Sequence, residues 1–323
     1  MPGALRNMPN PNNQKTRNID VVFVHDSTGS QQPYLNAATQ ESRNYVQAFA
    51  DELSRKGAPG TARYRVIAFR DHREQGDLWT VNASNDFTDK PEQLRQQFSS
   101  LVAEGGGDGP EAQLDALDAA LTSPWRLNAR RVVFLITDSP PHGVEPGDEP
   151  PASHPSYLTT KYLVDNFKKQ KIKLFVIGCI PTINKYRNAV SYYEKLVKDI
   201  NAGGIYRTLS RPTTDTTPLR KLVVGSTLYA SDVFHIEDRW EDWIADHADH
   251  GHDTIAHAMH TKLTTEGETC HEVDHGDHGI DYHKAPITRA RVDDIVGRTL
   301  EARAARKADP IMSSIFGDDD DDS

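Results

Sequence analysis

Three short segments of the chain carry oxygen-bearing side chains at spacings that suit a hard cation. Asp26-Ser27-Thr28-Gly29-Ser30 sets a carboxylate and two hydroxyls, Asp26, Thr28 and Ser30, on alternate positions of one tight loop, and Gly29 permits the bend. Oxygen-only ligands suit Mg²⁺, Mn²⁺ or Ca²⁺ rather than zinc. Ordinary turns and helix caps use the same residue types, so the pentapeptide alone leaves both readings open. Gly105-Gly106-Gly107-Asp108-Gly109-Pro110-Glu111 stands ahead of an amphipathic stretch. Its glycines let backbone approach closely, and Glu111 falls in a first helical turn, where the dipole favours a carboxylate. Taken without the other two segments, these residues read better as a flexible loop with an acidic helix start. Asp138 ends the apolar run RVVFLIT and is followed by Ser139-Pro140-Pro141-His142-Gly143. Acids on neighbouring loops repel one another unless a cation sits among them, so their coincidence argues for a metal.

The elements around these segments alternate. IDVVFVHD at 19–26 is a continuous run of largely β-branched residues, as a central parallel strand covered on both faces requires. YRVIAFRD at 64–71, RVVFLITD at 131–138 and KLFVIGC at 173–179 repeat that character, while LWTVN at 78–82 and DFTD at 86–89 suggest an antiparallel edge. Residues 35–56, 91–103, 111–122, 156–170 and 189–200 carry helical periodicity, and Gly203-Gly204 reads as a helix C-cap before a last strand. The alternation predicts an α/β fold: a doubly wound, mostly parallel sheet flanked by helices, with a polar, mostly helical C-terminal extension. Ligands in such sheets bind beyond the carboxyl ends of the strands, where Asp26 and Asp138 fall.

The expected division is a flexible lead at 1–17, the α/β domain at 18–225, a His-rich extension at 226–310 and an acidic tail at 311–323. The net charge is −10, half of it from the run Asp318–Asp322, and the scattered Lys and Arg leave no basic footprint for nucleic acid. The two cysteines, Cys179 and Cys270, form no CxxC pair or disulfide framework. No apolar leader or membrane-spanning stretch is visible, which predicts a soluble cytoplasmic protein without membrane insertion.

Taken together, DSTGS, GGGDGPE and FLITDSPPHG resemble the metal-ion-dependent adhesion site of von Willebrand factor A domains. With AFRDH at 68–72 added, the set is similar to the A domains found beside α-kinases and in related fungal and protist proteins, over about residues 18–262. The resemblance implies one divalent cation, Mg²⁺ before Mn²⁺ or Ca²⁺, held by Asp26, Thr28, Ser30 and Asp138. The second loop lacks the family's usual Thr. Its Asp-Gly-Pro-Glu is similar to the Asp-Ser-Pro-Glu of integrin β-subunit domains, which carries the ligand role to Glu111 and leaves Asp108 as the secondary candidate. Kinase activity does not carry over, because the remaining sequence has no Gly-rich loop leading into a Lys-bearing strand.

The implied function is a binding module whose cation engages an acidic side chain of another protein. The rivals are a metal-dependent hydrolase, for which His142 is the available base, and a scaffold with a purely structural ion. His142 also reads as an exposed residue of a rigid Pro-Pro turn. Arg70-Asp71-His72 reads either as support for the metal loop or as a salt-bridged corner. Ten of the 14 histidines lie between His235 and His283. The pairs His257/His260 and His271/His275 have helical spacing that invites zinc, while the low-complexity character fits a solvated polar segment.

Overall fold

The computed structural model describes residues 7–10, 16–56, 59–107, 109–276 and 279–308. The expected flexible lead falls largely outside these residues, and Asp108 and the acidic tail fall wholly outside them. The elements in chain order are β1 (Ile19–Asp26), α1 (Gln32–Lys56), β2 (Ala62–Phe69), β3 (Val81–Asn82), α2 (Pro91–Ser99), α3 (Gln113–Leu121), β4 (Arg130–Thr137), α4 (Thr160–Lys169), β5 (Ile172–Ile180), α5 (Ala189–Ile200), β6 (Tyr206–Ser210), α6 (Thr217–Asp246), α7 (His252–Thr265), β7 (Thr269–Gly276), β8 (Gly279–Pro286) and α8 (Arg289–Ala308).

Strands β3-β2-β1-β4-β5-β6 form one sheet in that order. All neighbours are parallel except the short edge β3, which runs antiparallel to β2. The chain leaves β1 toward β2 on one side and later returns to place β4 on the other. The crevice of such a sheet opens at this reversal, at the C-terminal ends of β1 and β4.

Every residue of β1 is buried, which is why its apolar run shows no alternation. Val22 and Val24 face a core shared with α3, α4 and α5, including Leu117, Leu163, Phe167 and Leu196. Phe23 points to the opposite face, where it stacks on Phe134 of β4 at 5.5 Å and meets Tyr45 of α1 and Phe98 of α2 at 5.6 and 5.3 Å. Full burial of such side chains is worth about 1.5–3 kcal/mol each, so both faces hold the strand ends in place.

Three local readings change, the first at Glu111, which stands before the N-cap Ala112 of α3 rather than in its first turn. The left-handed C-cap of α5 is Asn201, at φ 49°, rather than Gly203-Gly204. Within the extension expected to be helical, β7 and β8 form a two-stranded sheet. His271 and His275 therefore lie on a strand rather than a helix.

The described residues divide into two compact units, a larger one built from Thr16–Ser231 and His271–His283 and a smaller one built mainly from Asp232–Cys270 and residues 284–308. The smaller unit has its own apolar interior, with Trp240, Ile244, Ile255, Met259, Val292 and Ile295 buried. Arg239 there reaches Glu266 and Glu268, and Arg298 reaches Glu237. Among the described residues, no helix is long and apolar enough to cross a membrane.

Candidate metal centre

Asp26 is the last residue of β1, buried beside the end of β4. Its Oδ1 accepts from the Thr28 amide at 2.9 Å and from Thr28 Oγ1 at 2.7 Å, and its Oδ2 accepts from Thr137 Oγ1 at 2.8 Å. Ser27 fastens the loop to β2, its amide and hydroxyl both donating to the Phe69 carbonyl, at 2.9 and 3.1 Å. Ser30 Oγ crosses to the other strand end and donates to Asp138 Oδ1 at 3.0 Å. Each hydroxyl thus gives its one proton to a carboxylate and keeps only lone pairs for any further partner. A cation is the partner those lone pairs suit.

The second loop is laced to the first by two backbone bonds, Gly29 N–H to the Gly105 carbonyl at 3.2 Å and Glu104 N–H to the Ser27 carbonyl at 3.1 Å. Two glycines make that approach possible. Gly105 and Gly106 both have φ +81°, a region open to glycine at no steric cost. A Cβ on Gly105 would lie 1.8 Å from Asp77 Oδ1, and one on Gly106 would lie 2.8 Å from both Glu111 Oε1 and Thr28 Cβ. Glu111 and Thr28 thus face the same point. Glu111 is also bound to the third loop, its N–H donating to the Pro140 carbonyl at 3.1 Å and its carbonyl accepting from His142 N–H at 3.3 Å.

Asp26, Thr28, Glu111 and Asp138 are buried, and Ser30 is exposed at the mouth. Burial, then the charge of Asp138, push the Asp26 carboxyl up to about 7, against partial relief from the hydrogen bonds of Thr28 and Thr137. A site that raises a carboxyl in this way favours a positive charge, whether proton or metal. The donor set fits a hard divalent cation: carboxylates and hydroxyls only, with no nitrogen or sulfur.

The sequence reading missed two residues that position these side chains, Thr137 and Gln113, and named Arg70 and Asp71 as a support or a corner. Thr137 orients Asp26, and Gln113 Nε2 donates to Thr137 Oγ1, to the Ser139 carbonyl and to Ser139 Oγ at 3.2, 3.1 and 2.8 Å. Arg70 supports the second loop, reaching the Val102 carbonyl at 2.8 Å and Glu104 at 2.9 Å while lying over the Trp79 ring. Asp71 and His142 form a buried corner. His142 Nε2 meets Asp71 Oδ1 at 2.8 Å and its Nδ1 meets Asp148 Oδ1 at 2.9 Å. The expected exposure of His142 is wrong, because the Pro-Pro turn folds its ring inward between two carboxylates.

Burial alone would lower the His142 pKa, but the hydrogen bonds and charges of Asp71 and Asp148 overcome it and raise the value to about 9. The charged ring contributes stability fully below its ordinary 6.5, and that contribution is lost as pH rises through about 9. His142→Ala removes the charged partner of the buried Asp71 carboxylate, leaving it the His72 amide, and is expected to cost about 3 kcal/mol. That lowers the thermal midpoint by roughly 6–12 °C at neutral pH. The difference from wild type should shrink toward pH 10; a constant difference would show that the charge is not what stabilises the corner.

Residues 20–148 match the von Willebrand factor A domain family. The chain is 25% identical to the alpha-protein kinase vwkA of Dictyostelium discoideum over 187 residues, 57% of this chain and 28% of that protein. It is 33% identical to the human (Homo sapiens) von Willebrand factor A domain-containing protein 7 over 120 residues, 37% of this chain and 12% of that protein. The chain thus matches under a third of either relative's length. Among solved structures, the pilus adhesin SpaC of Lactobacillus rhamnosus GG aligns with a TM-score of 0.46 at 13% identity, over 68% of this chain and 31% of that one. Over residues 20–148 the chain is thus similar to the von Willebrand factor A domain family.

Proposed function

We propose that this domain binds another protein through one divalent cation, Mg²⁺ first with Mn²⁺ or Ca²⁺ as alternatives, held by Asp26, Thr28, Ser30, Glu111 and Asp138. The observation that carries the reading is the pairing of hydroxyls with carboxylates at the switch point, Thr28 with Asp26 within the first loop and Ser30 with Asp138 across to β4, which leaves lone pairs for an ion. Bound there, the cation supplies a positive centre that accepts an acidic side chain of the partner. The chain's own residues do the rest. Thr137 and Gln113 hold Asp26 and the Asp138 loop in place, and exposed Ser30 marks the side from which a partner approaches.

The hydrolase reading has less support. His142, its available base, has both ring nitrogens engaged by Asp71 and Asp148. A general base needs a free nitrogen aimed at the proton it removes.

The test uses the full chain as bait in its native cell extract, in Mg²⁺ and in EDTA. The expected result is a partner retained in Mg²⁺, released by EDTA, and lost with Thr28→Ala or Ser30→Ala although both variants stay folded. The loss should reach about 2 kcal/mol or more, as for a central interface anchor. Full retention in EDTA would reduce the ion to a structural role. Metal-dependent hydrolysis that disappears with His142→Ala would replace the binding reading with an enzyme.

A further inference from the structure

A second cluster within the larger unit shares no residue with these ligands. It joins His72, just after β2, Asp115 in the first turns of α3, and His154 in the loop before α4. Asp115 Oδ2 lies 3.5 Å from His72 Nε2 and 3.0 Å from His154 Nδ1, and the three ligand atoms lie within 4.8 Å of one another.

The outer partners of the two rings fix where their protons sit. Ser153 gives its hydroxyl proton to Glu74 Oε2 at 2.7 Å and its amide proton to Glu74 Oε1 at 2.9 Å. The 3.0 Å contact between Ser153 Oγ and His72 Nδ1 must then be donated by the ring. In neutral His72 the proton is on Nδ1, and Nε2 presents a lone pair. Likewise the Leu158 carbonyl, 2.8 Å from His154 Nε2, can only accept, so neutral His154 carries its proton on Nε2 and presents a lone pair at Nδ1. Both lone pairs face the same carboxylate oxygen. His72 is buried, and its Nε2 makes no hydrogen bond.

Three electron-rich atoms turned toward one another require a positive charge between them. The geometry points to a second metal site, His72 Nε2, His154 Nδ1 and Asp115 Oδ2, for a transition-metal dication of the Zn²⁺ class, with water completing the sphere. Two imidazoles and a carboxylate select such an ion over Mg²⁺. Ligand atoms at ordinary zinc bond lengths stand about 3.3 Å apart along a tetrahedron's edge, and the 3.0 and 3.5 Å contacts bracket that value. The outer nitrogens already donate to oxygen, as metal-ligating imidazoles do, and Glu74 backs one of them through Ser153. The ion would pin the loop before α4 to α3 and to the end of β2.

The test titrates the metal-free full chain with Zn²⁺ in saturating Mg²⁺, and with Co²⁺ followed by its visible absorption. The expected result is one tight equivalent that His154→Gln and Asp115→Asn each weaken at least 100-fold, with loss of the tetrahedral Co²⁺ bands. Asp138→Ala and a His257→Gln/His260→Gln/His275→Gln chain should keep it, which separates this site from the oxygen-only one and from the His-rich segment. Thermal midpoints of the metal-free variants establish that they fold. Binding undiminished in His154→Gln and Asp115→Asn overturns the assignment. So does the absence of tight Zn²⁺ binding by wild type, which would leave a proton-bridged His-Asp-His cluster.

Discussion

Millimolar Mg²⁺ is expected to raise the thermal midpoint of the wild-type chain, and Asp138→Ala to abolish the increment. A ligand that binds only the native state stabilises it by RT ln(1 + [L]/Kd), about 2.7 kcal/mol at ~100 times Kd. For a domain of this size that is roughly 5–11 °C. Asp138→Ala separates binding from folding because its two effects have opposite signs. It removes a ligand and the acceptor of Ser30 Oγ, yet it also removes one of the two causes that push Asp26 up. The metal-free variant should therefore be no less stable than metal-free wild type, while Mg²⁺ does nothing for it. Scanning calorimetry with and without Mg²⁺ gives both numbers. A wild-type midpoint indifferent to Mg²⁺, or an equal increment in Asp138→Ala, would count against the site.

The sequence carried the parts whose signal is local. β1 and α5 have the bounds that their apolar pattern predicts, because a strand buried on both faces and an amphipathic helix each declare themselves within a dozen residues. Asp26 and Asp138 were readable because they follow apolar runs directly. Long-range pairing left no such trace. Thr137 looks like one more strand residue until β4 is set beside β1, and Gln113 like one more helix residue until α3 packs under Ser139. His72, Asp115 and His154 come from three separate loops and helices, so no motif spacing joins them. The β7–β8 sheet was missed for another reason. A spacing of four puts His271 and His275 on one face of a helix, but also on one face of a strand, so it does not distinguish the two.

Affinity for Mg²⁺ is expected to depend steeply on pH, because proton and metal compete for the same carboxylate pair. In the metal-free protein, burial and the Asp138 charge raise Asp26 from 3.8 to about 7, so the folded state holds a proton there that the unfolded chain has released. The stability this proton confers is complete below 3.8 and disappears as pH rises through about 7, leaving two close carboxylates uncompensated. Mg²⁺ binds the deprotonated pair. Below pH 7 its apparent affinity should fall about tenfold for each unit of acidification, and binding should release close to one proton; above about pH 8 both dependences should vanish. Calorimetric titrations in buffers of different ionisation enthalpy measure the released proton directly. Asp26→Asn provides the control, since it keeps the shape of the loop while removing the competing charge. It should weaken Mg²⁺ binding severely and flatten what pH dependence remains. A wild-type affinity that is the same at pH 5.5 and pH 7.5 would mean that Asp26 is already ionised without metal. The electrostatic demand for a cation at this switch point would then be smaller than the burial of the pair implies.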